Sequence, residues 1–133
     1  MRHLTASALL LAAALPAAAA AQPCPAYTPK VEAGVVSAPA IKEASGLAAS
    51  RRTPGVLWTH NDSGDSPRLF ALSAAGELLG TWQITGAEAR DWEDLAAGPC
   101  PQDAGAHCLY IADFGNNARQ RDDLAVYVVE EPA

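Results

Sequence analysis

The chain has 133 residues, of which 50% are hydrophobic and 18% charged, and its formal net charge is −6 at pH 7. Binding to nucleic acid requires clusters of Lys and Arg that neutralise phosphates, so the acidic balance argues against DNA or RNA as a partner. The charge is instead compatible with an exported protein or with one that binds cations.

Residues 1–21 are predicted to be an export signal. Arg2 provides a basic start, residues 4–15 form an apolar run, and residues 19–21 are small alanines suited to cleavage. The apolar run is shorter than the roughly 20 residues that a membrane-spanning helix needs. No later stretch is apolar enough to cross a membrane, so we expect a periplasmic or extracellular protein without a transmembrane segment.

Residues 22–40 form a Pro-rich lead-in, and short apolar runs separated by turn signals follow it. The turns are rich in Gly, Pro, Ser and Asn, which is typical of connections between strands. We therefore predict an all-β fold. Its strands are expected at 45–50, 55–60, 68–73, 78–84, 93–97, 108–113 and 124–129.

The strands fall into two similar units. Three pairs of residues match between the units: Leu47 and Leu95, Leu57 and Leu109, and Phe70 and Tyr127. The spacing within these pairs grows from 48 to 52 to 57 residues as the loops lengthen. A repeat of short strands every ~50 residues is typical of four-stranded antiparallel β-propeller blades. We predict one blade at 41–90 and an incomplete blade at 91–133.

A propeller closes with about four to eight blades, so two units predict the amino-terminal part of a longer chain whose remaining blades are missing. The second unit has no fourth strand in this sequence. Its last strand, at 124–129, is therefore expected to be an exposed apolar edge that recruits other chains. A small seven-stranded β-sandwich is the alternative, and it predicts a monomer that unfolds cooperatively.

Three cysteines fit an oxidising compartment. Cys100 and Cys108 flank a polar turn between two predicted strands, and we expect them to form a disulfide. In the chain-entropy model, so short a loop gains about 2–3 kcal/mol of stability. Cys24 is left free or pairs with a cysteine outside this sequence. A zinc site that includes His107 is disfavoured, because adjacent residues in a strand point to opposite faces.

Polar residues concentrate at 60–65, 91–94 and 113–117, which are corresponding positions in the two units. Equivalent loops of a propeller meet on one face near its central channel. Oxygen-rich clusters suit a hard cation, Ca²⁺ or Mg²⁺, better than zinc. The candidate metal ligands are Asn61, Asp62, Glu93, Asp94 and Asp113. The alternative is that these residues only form turns, which favour Asn, Asp, Ser and Gly.

His60 is a further candidate for the site, because a histidine can act as a general base or hold a water molecule. No Gly-x-Ser-x-Gly motif is present, so a serine-based mechanism is disfavoured. No catalytic residue is assigned from the sequence, and whether the protein is an enzyme is left open.

The segments 43–48, 57–62 and 91–96 resemble the start of secreted bacterial β-propellers of the phytase-like (esterase-like), NHL-repeat and SdiA-regulated types. They contain Glu-x-Ser-Gly-Leu-Ala, Leu-Trp-x-x-Asn-Asp and Asp-Trp-Glu-Asp-Leu-Ala. The resemblance covers residues 41 to about 132. It implies that Asn61, Asp62, Glu93 and Asp113 face the channel and help to bind a metal. Trp92 stands where many relatives have Pro.

Two functions follow as expectations. The first is an exported propeller that acts as a scaffold or binds an unknown ligand, with a structural divalent cation such as Ca²⁺. The alternative is a phytase-like hydrolase that uses a channel metal to cleave phosphoesters or esters.

Overall fold

The computed structural model describes residues 28–133, and residues 31–133 form one compact unit that contains seven strands. Over this described range there is no helix, and hence none that is long and apolar enough to cross a membrane. The predicted export signal at 1–21 and Cys24 lie outside the described residues.

The strands form two antiparallel sheets. The strands are β1 (Ala44–Ala49), β2 (Val56–Asn61), β3 (Arg68–Ser73), β4 (Leu78–Gln83), β5 (Trp92–Pro99), β6 (His107–Asp113) and β7 (Ala125–Glu130). The first sheet has the order β1-β2-β3-β4, and the second has the order β5-β6-β7. This confirms the all-β prediction, and every predicted strand end falls within two residues of the observed one.

Both sheets contain a register shift near the start of their first strand. In β1 the shift lies between Ser45 and Leu47, and in β5 it lies between Trp92 and Asp94. Gly46, at the β1 shift, has a φ of 67°, which favours glycine. A Cβ atom at Gly46 would lie only 2.6 Å from the Leu95 backbone nitrogen. The glycine therefore lets β1 approach β5 closely.

The hydrophobic core lies between the two sheets. Its buried members are Ala48, Trp58, Leu69, Ala71, Ile84, Trp92, Leu95, Leu109 and Ile111. In the first sheet, the Trp58 and Trp82 rings meet edge to face with their centroids 5.1 Å apart. In the second sheet, Tyr127 packs on Trp92. We call the face of each sheet that contributes to this core its inner face, and the opposite face its outer face.

Matched residues of the two units lie on opposite kinds of face. Leu47, Leu57 and Phe70 are on the outer face of the first sheet, as the cross-strand pairs Leu47–Thr59 and Thr59–Phe70 show. Their counterparts are on the inner face of the second sheet: Leu95, Leu109 and Tyr127. The two sheets are therefore stacked in the same orientation. The face of the first sheet that packs in the core corresponds to the outer face of the second sheet.

Cys100 and Cys108 form a disulfide with an S–S distance of 2.06 Å, which confirms the predicted pair. The bond closes the loop between β5 and β6. Both sulfurs are bonded to each other, so the pair offers no thiolate to a zinc ion.

A buried carboxylate joins the end of β7 to the first sheet. Glu131 is 1% exposed, and one of its oxygens accepts hydrogen bonds from Ser50 Oγ and from Trp58 Nε1. Its other oxygen accepts from the backbone nitrogens of Arg51 and Arg52, each at 3.2 Å. Burial alone would raise the pKa of Glu131, but these hydrogen bonds lower it below the ordinary value.

Candidate cation site

Three carboxylates converge where the two sheets meet. Asp62, Asp91 and Glu93 each place one oxygen so that the three atoms lie within 4.8 Å of one another. Asp62 follows β2, Asp91 precedes β5, and Glu93 lies at the register shift in β5. All three residues are partly buried. The cluster therefore combines the end of a strand in one sheet with the beginning of a strand in the other.

Backbone hydrogen bonds hold each of the three residues in place. The Asp62 backbone nitrogen donates to the carbonyl of Glu43 at 2.9 Å. The carbonyl of Glu93 accepts from Ser45 Oγ at 2.9 Å, which links β5 to β1. The carbonyl of Asp91 accepts from the Gly115 nitrogen at 3.0 Å. The Asp62 side chain is itself oriented, because its Oδ1 accepts from the Ser63 backbone nitrogen at 2.6 Å.

Gly115 lies against the cluster and leaves no room for a side chain. A Cβ atom there would be 2.2 Å from Asp91 Cγ and 2.6 Å from Glu93 Oε1. Such distances are far inside van der Waals contact, so an alanine would displace the carboxylates. Glycine at this position allows Asp91 and Glu93 to keep their present spacing.

The electrostatics of the cluster favour a bound positive charge. Loss of solvation raises the pKa of Asp91, and the hydrogen bond and the charge of Asp62 raise it further. The charge of Arg121 offsets part of this rise in the pKa of Asp91. Two neighbouring carboxylates resist simultaneous ionisation unless a proton or a cation lies between them. A divalent cation would relieve this repulsion.

Asn61 and Asp113 occupy matched positions and anchor the chain that carries the cluster. Asn61 Oδ1 accepts from the Lys42 backbone nitrogen at 3.0 Å, just before β1. Asp113 Oδ1 accepts from the Asp91 backbone nitrogen at 3.0 Å and from Arg121 Nη1 at 2.9 Å. In each sheet a polar residue at the end of the second strand thereby fixes the entry to the first strand. Direct contact of either residue with a cation stays a prediction.

Asp94 and His60 lie outside this carboxylate cluster. Asp94 is exposed, and its Oδ1 accepts from the backbone nitrogen of Leu95 at 2.8 Å. His60 is fully buried between the sheets, and its ring meets Trp92 edge to face at 5.4 Å. Its Nδ1 is 2.8 Å from the carbonyl of Asn61, whereas Nε2 has no hydrogen-bond partner among the described residues. This position suits packing, and catalysis by His60 stays a prediction.

Two of the candidate metal ligands from the sequence, Asp62 and Glu93, lie together in the cluster. The structure adds Asp91 and Gly115 to the site. Residues two apart in an extended chain share a side, so alternation alone favours Asp91 with Glu93 over Glu93 with Asp94. The close approach at Gly115 carries no comparable sequence signal.

A hollow of about 210 Å³ is lined by the residues that flank Asp62. Its charged lining includes Lys42, Asp65 and Arg68, and the last two form an ion pair at 2.8 Å. The Asp65 carboxylate also accepts from Asn61 Nδ2 at 2.6 Å. The hollow is therefore polar and adjoins the loop that carries one of the three carboxylates.

Comparisons with protein-family models, with curated proteins and with solved structures find no match to this chain.

Proposed function

We propose that the chain is a propeller-type β module that is exported, binds a divalent cation between its two sheets and serves as a scaffold or ligand-binding protein. The convergence of Asp62, Asp91 and Glu93 at the junction of the sheets carries this proposal. The cation would join the two repeated units, because its ligands come from both.

The stacking of the sheets supports the propeller interpretation over the sandwich. Successive blades of a propeller are related by rotation about one axis, so each blade packs one kind of face against the opposite kind on its neighbour. Leu57 on an outer face and its counterpart Leu109 on an inner face follow this rule. A sandwich of two repeats that face each other would place matched residues on both sides of the same core. The resemblance to secreted bacterial propellers agrees with this proposal.

The ligand atoms favour calcium or magnesium. Carboxylate oxygens are hard ligands, and the cluster offers no sulfur or imidazole nitrogen to attract zinc. Calcium tolerates irregular geometry and accepts additional backbone or water oxygens, so three carboxylates at the junction of two loops suit it better than magnesium.

A binding role is better supported than hydrolysis. A metal-assisted hydrolase needs a base or a polarised water beside the substrate. His60, the candidate base, is closed off from solvent between the sheets. The polar hollow beside Asp62 gives a ligand a place to bind without such a base. The disulfide between Cys100 and Cys108 supports export, because such bonds persist in oxidising compartments.

Thermal unfolding with and without calcium tests the proposal. At a calcium concentration of 100 times Kd, binding adds about 2.7 kcal/mol to the free energy of unfolding. For a domain of this size, each kcal/mol raises Tm by about 4–8 °C. We expect this rise in the wild type and its loss in Asp62→Asn. Glu88→Gln is the matched control, because Glu88 has a 69% exposed side chain and lies outside the cluster.

Equal melting temperatures of the wild type in calcium and in chelator would contradict the cation site. A calcium-dependent rise that Asp62→Asn leaves unchanged would place the cation elsewhere. Phosphomonoester or acyl-ester cleavage that chelator abolishes would instead support the hydrolase alternative.

A further inference from the structure

The outer face of the second sheet is an exposed apolar surface. It carries Ala96, Tyr110, Val126 and Val128, which neighbour one another across β5, β6 and β7. Val126 is 55% exposed and Val128 is 41% exposed. Two β-branched side chains with this exposure on one strand form a surface that other apolar groups can cover.

Residues at the matched positions of the first sheet are already covered by a sheet. The spacing of the repeat matches Ala48, Trp58, Leu69 and Ala71 to Ala96, Tyr110, Val126 and Val128. The first four are buried in the core against the inner face of the second sheet. The outer face of the second sheet therefore resembles the inner face of the first sheet. Within the molecule, that inner face packs against leucines and an aromatic residue of the second sheet.

The outer face of the first sheet carries that complementary set. Leu47, Leu57 and Phe70 match the residues of the second sheet that fill the core. Leu47 is 61% exposed, whereas Leu57 is partly buried and Phe70 is 0% exposed and therefore already covered within the molecule. Lead-in residues 32–34 and 36 line a hollow of about 270 Å³ on this face together with Leu57 and Leu72. The Leu47 end of this face is thus the part open to a partner.

We propose that the second sheet's outer face is occupied by the Leu47 end of the first sheet's outer face in a second copy of this chain. Strands β1 and β5 form the main contact between the sheets within one molecule, where Ala48 and Leu95 share the core. The contact between copies repeats it, with Ala96 of one copy in the place of Ala48 and Leu47 of the next in the place of Leu95. It rests on the stacked arrangement of the proposed function and does not involve the cation.

Such a contact is heterologous, because each copy uses two different surfaces. Association then proceeds head to tail and forms closed rings or open chains according to the rotation between copies. An isologous dimer, in which the second sheet's outer face meets itself, is the arrangement that the test must separate from this one.

The test uses two charged substitutions, Val126→Asp and Leu47→Asp, in protein that also carries Cys24→Ser to prevent intermolecular disulfides. Both positions are more than half exposed, so the monomer should tolerate the carboxylates. Sedimentation velocity measures association. We expect the parent protein to associate in a concentration-dependent way. Each variant alone should be monomeric, because each has lost one of the two surfaces.

The mixture of the two variants is the decisive sample. Head-to-tail association predicts a heterodimer, since the Val126→Asp copy keeps its first-sheet face and the Leu47→Asp copy keeps its second-sheet face. Leu124→Asp is the control, because Leu124 is 50% exposed but lies in the loop before β7. It should associate as the parent does.

A monomeric parent, association of Leu47→Asp by itself, a monomeric mixture, or loss of association in Leu124→Asp would each overturn the proposal. Calcium-dependent stabilisation of the monomeric variants is measured in parallel. Stabilisation by calcium without association would refute the docking proposal but not the cation site. A lack of stabilisation by calcium would count against the cation site.

Discussion

Replacement of Glu131 by glutamine preserves the shape of the side chain but should destabilise the fold strongly. The carboxylate is 1% exposed and accepts four hydrogen bonds from the turn between β1 and β2 and from Trp58. An amide nitrogen in place of one oxygen would face donors instead of accepting from them. The substitution therefore turns part of the contact between β7 and the first sheet from attractive to repulsive.

The magnitude follows from the partners that are lost. A hydrogen bond to a charged group contributes about 1.5–3 kcal/mol, and a buried donor left without a partner costs about 1–3 kcal/mol. Arg51 and Arg52 are exposed, so their backbone groups can regain water, whereas the Trp58 ring is buried. We expect Glu131→Gln to lower the free energy of unfolding by about 2–3 kcal/mol at neutral pH. This corresponds to a decrease in Tm of about 10 °C or more.

Chemical denaturation at several pH values measures this effect. The pKa of Glu131 is lowered by its hydrogen bonds, so its contribution to stability is complete above the ordinary glutamate pKa of 4.5 and is lost as pH falls through the folded-state pKa. The difference between wild type and Glu131→Gln should therefore be constant near neutrality and shrink in acid. Glu130→Gln is the control, because that side chain is 73% exposed and its contact with Arg52 is 3.8 Å long.

A Glu131→Gln variant within about 0.5 kcal/mol of wild type at neutral pH, the range usual for neutral surface changes, would refute this reasoning. A difference that grows below pH 4.5 would refute the assigned direction of the pKa shift.

Two further outcomes are expected. Paired Cys100→Ser and Cys108→Ser substitutions should lower the free energy of unfolding by about 2–3 kcal/mol, measured in urea without reductant; unchanged stability would show that the bond is dispensable. In chelator, Asp91→Asn should be more stable than wild type at neutral pH, because the raised folded-state pKa of Asp91 penalises its ionised form. That advantage should vanish below the ordinary aspartate pKa of 3.8, where the Asp91 side chain and the asparagine that replaces it are both neutral. A thermal melt showing no advantage at neutral pH would count against the crowded carboxylates.

The strands were predictable because turn residues separate short apolar runs of nearly constant length. Arg68–Ser73 was predicted with both ends correct, since it lies between Pro67 and the turn at Ala75–Gly76. The repeat of Leu57 at Leu109 also indicated two similar units. It did not reveal that the two leucines lie on opposite kinds of face, because that depends on how the sheets stack.

The candidate site was predictable only in part. Asp62 and Glu93 belong to polar motifs at matched positions, and the fold brings them together. Gly115 supports the site by lacking a side chain, which only the packed structure reveals. The sequence alone does not distinguish the adjacent Glu130 and Glu131. Which of two adjacent glutamates is buried depends on where the strand ends against the first sheet.

Direct measurement of calcium binding by isothermal titration calorimetry, on protein stripped with chelator, tests the cation site most directly. Gly115→Ala is the informative variant, because its methyl group would occupy the space of Asp91 and Glu93 without removing either carboxylate. Gly105→Ala, in the exposed loop between β5 and β6, is the matched control. We predict one calcium ion bound per chain in the wild type and in Gly105→Ala, and severely weakened binding in Gly115→Ala. No binding by the wild type, or equal binding by Gly115→Ala, would contradict a cation held at this cluster.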